Sequence, residues 1–295
     1  MHDSPHVFDN SKPSAKPRKF RLWLYLLIIF ALSWPFLLPS ALISFDNYWI
    51  PLIWSSIGML MVTVGTFIAG RWIFQDGFST IGWRWGNASS WMLALGLPLL
   101  IFILPAVVDM LVGTRTLAPL TWKNTTLTLY VIFFTPILGF GEEFGFRGYL
   151  LPKIWWMGAR KALIVGAIIY WAWHWPVWLI PFVSTSMTNA GQLNLYLVIQ
   201  MLPTILFGAL LTGCTAIILS YVWVRSGSIV VSSVFHGYFD GLRNITMFYL
   251  LVNASALSNI YYVAFIIILS LLLLWRGRWV LPEPLELRVL RVNKK

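Results

Sequence analysis

The sequence predicts an all-α protein, a polytopic transmembrane helix bundle of about eight spans with N- and C-termini in the cytoplasm. Three observations predict it. Of 295 residues, 59% are hydrophobic and only 11% charged, against roughly a quarter charged in a soluble domain. The apolar residues fall in runs that meet the roughly 20 residues a helical crossing needs. With the N-terminus inside, eighteen of the 21 Lys and Arg fall in cytoplasmic segments or at the cytoplasmic ends of spans, two (Arg115 and Lys123) fall outside, and Arg243 lies deeper within a span. The positive-inside rule favours that arrangement.

Residues 1–20 are polar, proline-containing and unpatterned, and are expected to form a disordered cytoplasmic tail in which His2 and His6 are solvated. The apolar run that follows has no suitable small-residue cleavage site, so it is expected to remain as a helix rather than to act as a removable signal. Spans are expected at about 21–43, 48–70, 91–113, 127–149, 161–183, 195–224, 228–251 and 259–276, making a bundle over 21–276. A basic cytoplasmic tail, 277–295, closes the chain. The sixth span is too long for a straight crossing and contains Pro203 and Gly208, so a kink or break is expected there. No internal repeat is evident.

The net charge of +11 does not indicate nucleic acid, because the basic residues sit at the edges of apolar segments. The expected surroundings are the lipid bilayer of a cell membrane. A compact chain without long extra-membrane domains points to a bacterial plasma membrane. The single cysteine, Cys214, lies in an apolar run and excludes an intrachain disulfide; it reads as packing.

Ionisable residues inside spans are costly and usually face a bundle interior or a wet cavity. Here they are Asp109, Glu142, Glu143, Arg147, His174, His236, Asp240 and Arg243. All but Asp109 fall in the fourth, fifth and seventh spans, at depths that overlap in the cytoplasmic half when counted at about 1.5 Å per residue. In "GEEFGFRG", Gly141–Gly148, Glu143 and Arg147 are four apart, the spacing of a helical ion pair. Glu142 points about 100° away from Glu143 and is left to face a cavity. The glycines thin the helix for close neighbours. In "YWAWHWP", Tyr170–Pro176, Pro176 frees the carbonyl of Ala172 and can kink the helix near His174; the tryptophans read as packing or interfacial residues. In "FHGYFDG", His236 and Asp240 share a face four residues apart, which suits metal ligation or an imidazole–carboxylate pair.

This set can perform hydrolysis. A carboxylate withdrawn into an apolar cavity becomes a usable general base toward water. Imidazoles supply polarisation, proton shuttling or ligation, and Glu with two His and a water resembles a catalytic zinc site in ligand type. No serine or cysteine stands beside these histidines as an evident nucleophile. The competing structural reading is a polar network that merely ties three helices together.

"EEFGFRG" matches the EExxxR motif of the CAAX-processing protease and bacteriocin-processing (CPBP, or Abi) family of intramembrane proteases. "YWAWH" resembles its FxxxH motif with Tyr170 in place of Phe, and "HGYFD" resembles its HxxxN or HxxxD motif. The resemblance covers about residues 127–250, the expected protease core. It implies an intramembrane CAAX prenyl endopeptidase-like hydrolase whose cavity opens to the cytoplasm and to lipid. Its substrates would be membrane-associated proteins or peptides, cut near the cytoplasmic face. By analogy Glu142 would activate water together with His174, while His236 and Asp240 would stabilise the oxyanion or bind metal. Glu143 and Arg147 would support the site. The same four residues, Glu142, His174, His236 and Asp240, could hold a divalent metal such as zinc, as in a metalloprotease; a metal-free glutamate mechanism is equally argued for the family. Asp240 stands where eukaryotic members carry Asn, and an ionised Asp donates no hydrogen bond. Two other classes of function fit parts of the pattern: a non-catalytic scaffold or bacteriocin self-immunity protein of the same fold, and a transporter or proton relay.

Overall fold

A computed structural model describes residues 20–42, 49–119, 121–177, 195–246, 251–252 and 256–281. The expected terminal tails, the end of the fifth span (178–183) and the end of the seventh (247–251) lie largely outside these residues. The helices are α1 (Leu22–Leu42), α2 (Trp49–Ile73), α3 (Ala88–Leu111), α4 (Trp122–Phe133), α5 (Thr135–Met157), α6 (Ala159–Trp173), α7 (Leu195–Ser226), α8 (Ile229–Asn244) and α9 (Ala256–Arg276). A two-residue antiparallel pairing of β1 (Thr116–Leu117) with β2 (Leu251–Val252) sets Thr116 opposite Val252. Within the described residues, α1, α2, α3 and the Ile205–Ser226 part of α7 are long and apolar enough to cross a bilayer, and α4 with α5 makes a fifth crossing if the bent pair is one span. With the shorter helices packed among them, the chain is a helical membrane bundle.

The span expected at 127–149 is instead two helices, bent by 42° between Phe133 and Thr135. Pro136 is the cause: it has no N–H for the carbonyl of Ile132, and its ring crowds that carbonyl. The Tyr238 hydroxyl of α8 donates to the freed Ile132 oxygen at 3.3 Å, so the break is also a joint between α4 and α8. α7, by contrast, is broken at neither Pro203 nor Gly208.

Polar contacts gather particular helix ends. Asp76, just beyond α2, accepts from the Tyr149 hydroxyl at 2.8 Å and the Lys153 ammonium at 2.6 Å. Arg160 at the start of α6 donates to the carbonyl of Trp275 near the end of α9, at 3.1 Å. The connection after α2 lies across the same end: Thr80 donates to the Gly148 carbonyl at 2.9 Å, and the Trp223 indole to the Ile81 carbonyl at 3.1 Å. Ser228, which caps α8, donates to the Arg84 carbonyl. Toward the far end, Arg115 is buried against Asp109 at 3.2 Å and donates to the Thr246 carbonyl at 3.1 Å.

α5 runs through the middle of this assembly, and glycine lets it do so. A Cβ on Gly139 would meet the backbone of Ser233 in α8, and one on Gly237 would meet the backbone at Thr135 and Pro136. The two helices therefore cross in backbone contact, which small residues permit in membrane bundles. Gly237→Ala is expected to destabilise the protein by about 1–3 kcal/mol, the usual cost of overpacking, or more, since the obstacle is backbone. A lowered thermal midpoint in detergent checks this; an unchanged midpoint would mean that the crossing is looser than described.

Candidate active site

The α5 segment that carries "GEEFGFRG" leaves regular α-helix at Phe144 and runs as a π-helix to Leu150. Wide π turns occur often at functional sites. The glycine carbonyls around it are taken by hydroxyls from neighbouring elements: Thr63 donates to Gly141 at 2.8 Å, Tyr25 to Gly145 at 3.0 Å and Thr80 to Gly148 at 2.9 Å. Each glycine exposes backbone that a side chain would cover, and a helix or loop on that side supplies a donor. This clamps α5 in rotation, which decides where Glu142 and Glu143 point.

Glu143 and Arg147 form the ion pair that their spacing suggested, Nη1 to Oε1 at 2.8 Å, with both side chains buried. Glu143 does more than neutralise the arginine. Its Oε1 accepts from His236 Nδ1 at 3.0 Å and its Oε2 from the Ser232 hydroxyl at 2.5 Å. Ser232 and His236 are one turn apart on α8, so a single carboxylate grips two residues of that helix and fixes the imidazole. The Arg147 guanidinium also lies over the Tyr170 ring, 4.2 Å from its centre, tying α6 into the same cluster.

Glu142 faces the other way. Its Oε2 is 3.8 Å from His236 Nε2 and 4.0 Å from His174 Nε2. The carboxylate is 1% exposed, and Oε2 makes no hydrogen bond among the described residues. An acceptor left so far from water is costly unless something binds it. The two spacings are those a bridging water oxygen spans.

Both imidazoles are held by their far nitrogens. His174 ends α6 at the turn before Pro176, and its Nδ1 donates to the Tyr170 carbonyl at 2.8 Å; the Nε2 it presents to Glu142 therefore carries the lone pair when the ring is neutral. His236 Nδ1 is committed to Glu143, and its Nε2 faces Asp240 Oδ2 at 3.4 Å and the Tyr170 hydroxyl at 3.2 Å. Asp240 is shared in turn with Arg243, at 3.3 Å. The tryptophans flanking His174 differ in role: Trp173 is buried and donates to the Ser33 hydroxyl at 2.7 Å, whereas Trp175 is exposed.

The structure thus brings Glu142, His174, His236 and Asp240 to one place, with Glu143 and Arg147 behind them. It also places there Tyr170, Ser232 and Arg243, to which sequence reasoning gave no part. Ser232 was findable, being four residues before His236 on the face already singled out. Cys214 is buried and has no part in the cluster.

A cavity of about 320 Å³ adjoins the cluster, lined by Tyr170, His174, Asp240 and Arg243 together with residues of α7 and α9 such as Thr212 and Tyr262. It extends toward the C-terminal ends of α6 and α8, away from the bundle end that holds Asp76, Lys153 and Arg160.

The fit to a metal can be tested on the donors. Among the described residues, no group of three or more His, Cys, Asp or Glu side chains is arranged to hold a metal ion. Asp240 is drawn toward Arg243, and the Tyr170 hydroxyl stands at His236 Nε2, the nitrogen a metal would need.

Residues 122–242 match the family model for the Rce1-like type II CAAX prenyl endopeptidase, a span that holds every member of the cluster except Arg243. No curated protein matches the chain. The matched region and the membrane bundle agree, and over residues 122–242 the chain is similar to the CAAX protease (CPBP) family of membrane proteases.

Proposed function

We propose that the protein is an intramembrane endopeptidase in which Glu142 activates a water molecule against a peptide bond of a membrane-associated substrate. The observation that carries this is the buried Glu142 Oε2, unpartnered among the described residues and aimed between His174 Nε2 and His236 Nε2 at 4.0 and 3.8 Å. A network that merely tied helices together would have satisfied that oxygen, as Glu143 is satisfied one residue later.

The reaction follows from these positions. Water lies between Glu142 and the imidazoles, and Glu142 takes its proton as the oxygen attacks the carbonyl carbon. The C=O electron pair moves onto the carbonyl oxygen and forms a tetrahedral oxyanion. When that pair returns, the C–N bond breaks and the departing amine takes the proton held on Glu142. His174 orients the water through the lone pair on Nε2, and His236 with Asp240 forms the opposite wall. The substrate chain occupies the cavity bordered by Tyr170 and Asp240. Membrane-associated proteins or peptides are the substrate class.

Comparing membrane-protein termini in cells that carry wild type, Glu142→Gln or His236→Ala at matched expression tests the reading. New termini with wild type that are missing in both variants support it. Identical termini in all three with an unchanged phenotype would move the function to a scaffold, and a changed phenotype without changed termini would move it to transport.

The donor arrangement also makes a prediction about metal. Cleavage by purified protein is expected to persist within about twofold after chelation and dialysis. Loss of cleavage under chelation, with recovery on adding zinc, would show that the side chains regroup around a metal.

A further inference from the structure

The cluster has many acceptors, and its unpartnered buried donor, Arg147 Nη2, belongs to a guanidinium that lies behind the Tyr170 ring, 4.2 Å from its centre. Glu142 and Asp240 accept when ionised, and His174 presents a lone pair because its Nδ1 is bonded to the Tyr170 carbonyl. His236 gives its Nδ1 proton to Glu143 at 3.0 Å, and a proton at Nε2 would face Asp240 Oδ2 at 3.4 Å. In either state of the ring, its N–H groups are committed to carboxylates. Arg243 stands on the far side of Asp240, bound to Oδ1 while His236 faces Oδ2. Yet hydrolysis places a full negative charge on the carbonyl oxygen, and such a charge needs a preorganised donor close by.

The geometry points to the Tyr170 phenol as that donor: its O–H hydrogen-bonds the tetrahedral oxyanion and stands in for the donor that the carboxylate of Asp240 cannot provide. This rests on the proteolytic reading above. The hydroxyl is 3.2 Å from His236 Nε2, and the residue lines the cavity beside His174 and Asp240. Its position is fixed by the ring: Arg147 lies over one face at 4.2 Å, Phe146 packs edge-on with centres 5.1 Å apart, and the side chain is 3% exposed. Only the O–H bond has to turn, from His236 or from the Glu142 carboxylate with which the phenol also hydrogen-bonds, toward the substrate oxygen, and the heavy atoms need not move. One residue that differs from the motifs this chain resembles and one at which those motifs vary are thereby linked. Tyr170 stands in place of a phenylalanine without a hydroxyl, and Asp240 stands where eukaryotic members carry an asparagine with a donor amide. One donor is lost and another gained across the same cavity.

The test uses full-length protein in liposomes and a peptide spanning the bond identified by terminus mapping. Wild type and Glu142→Gln are measured first, because an absence of Glu142-dependent cleavage would remove the proteolytic reading and this proposal with it. Given that cleavage, Tyr170→Phe keeps the ring over Arg147 and removes only the hydroxyl. It is expected to lower kcat about 100-fold, the scale of one oxyanion donor, with KM within about twofold. Adding Asp240→Asn to Tyr170→Phe restores a donor amide and is expected to recover about tenfold or more of kcat. Thermal midpoints of both variants, measured alongside, show that they are folded. A Tyr170→Phe enzyme within about threefold of wild type would overturn the proposal. A large loss that Asp240→Asn does not recover would overturn it too, since the hydroxyl would then serve only to position His236.

Discussion

Glu142→Gln is expected to lower kcat by about 10³-fold, within the range that a positioned general base supplies, while leaving the fold intact. Gln is nearly the shape of Glu and can still fill the space between the imidazoles, but its amide cannot take a proton from water. Oε2 has no hydrogen bond to lose among the described residues, so the thermal midpoint should hold or rise as a buried charge is removed. Kinetics on the mapped peptide and a melting curve in detergent check both halves. Unaltered kcat would show that another group activates water, and a collapse in stability would make Glu142 a structural residue.

Glu143→Ala is expected to do the reverse, costing about 3–5 kcal/mol of stability, as when one partner of a buried ion pair is removed. Three groups lose their acceptor at once: the buried Arg147 guanidinium, the Ser232 hydroxyl and His236 Nδ1. The protein should accumulate poorly and melt early. A matched apolar replacement, Glu143→Leu with Arg147→Met, should regain much of the stability, because two well-packed apolar residues often replace a buried pair without loss. It should not regain activity, since His236 would turn freely. A stable Glu143→Ala protein would mean that the pair and its two α8 contacts contribute little to the fold.

Contacts within one helix were the most legible. The Glu143–Arg147 and His236–Asp240 pairs follow from a four-residue spacing in runs of known period, and the structure has both. The meeting of three helices was legible at coarse grain, because few polar residues lie at membrane depth and burying them separately would be costly. Rotation between helices was not. That Glu143 reaches His236 and Ser232 depends on the π turn at Phe144–Leu150 and on the backbone contact at Gly139 and Gly237, and neither has a one-dimensional signature. The break at Phe134 was hidden for another reason. Pro136 stood in plain view, but apolar residues continue on both sides of it, and hydropathy does not register a missing N–H. The phenol of Tyr170 is the opposite case: the motif shows the substitution, but only the packing of α6 against α8 sets its hydroxyl 3.2 Å from His236.

The central claim is that Glu142 activates water and does not itself attack the substrate. Many turnovers of the mapped peptide by wild-type protein in 18O-labelled water, followed by mass analysis of product and enzyme, test it most directly. The account predicts one heavy oxygen in each new C-terminal carboxylate and none in the peptide that carries Glu142. Heavy oxygen accumulating in the Glu142 carboxylate, which enters when water attacks the glutamyl carbonyl of a mixed anhydride, or capture of such an anhydride by added hydroxylamine as a substrate hydroxamate, would contradict it.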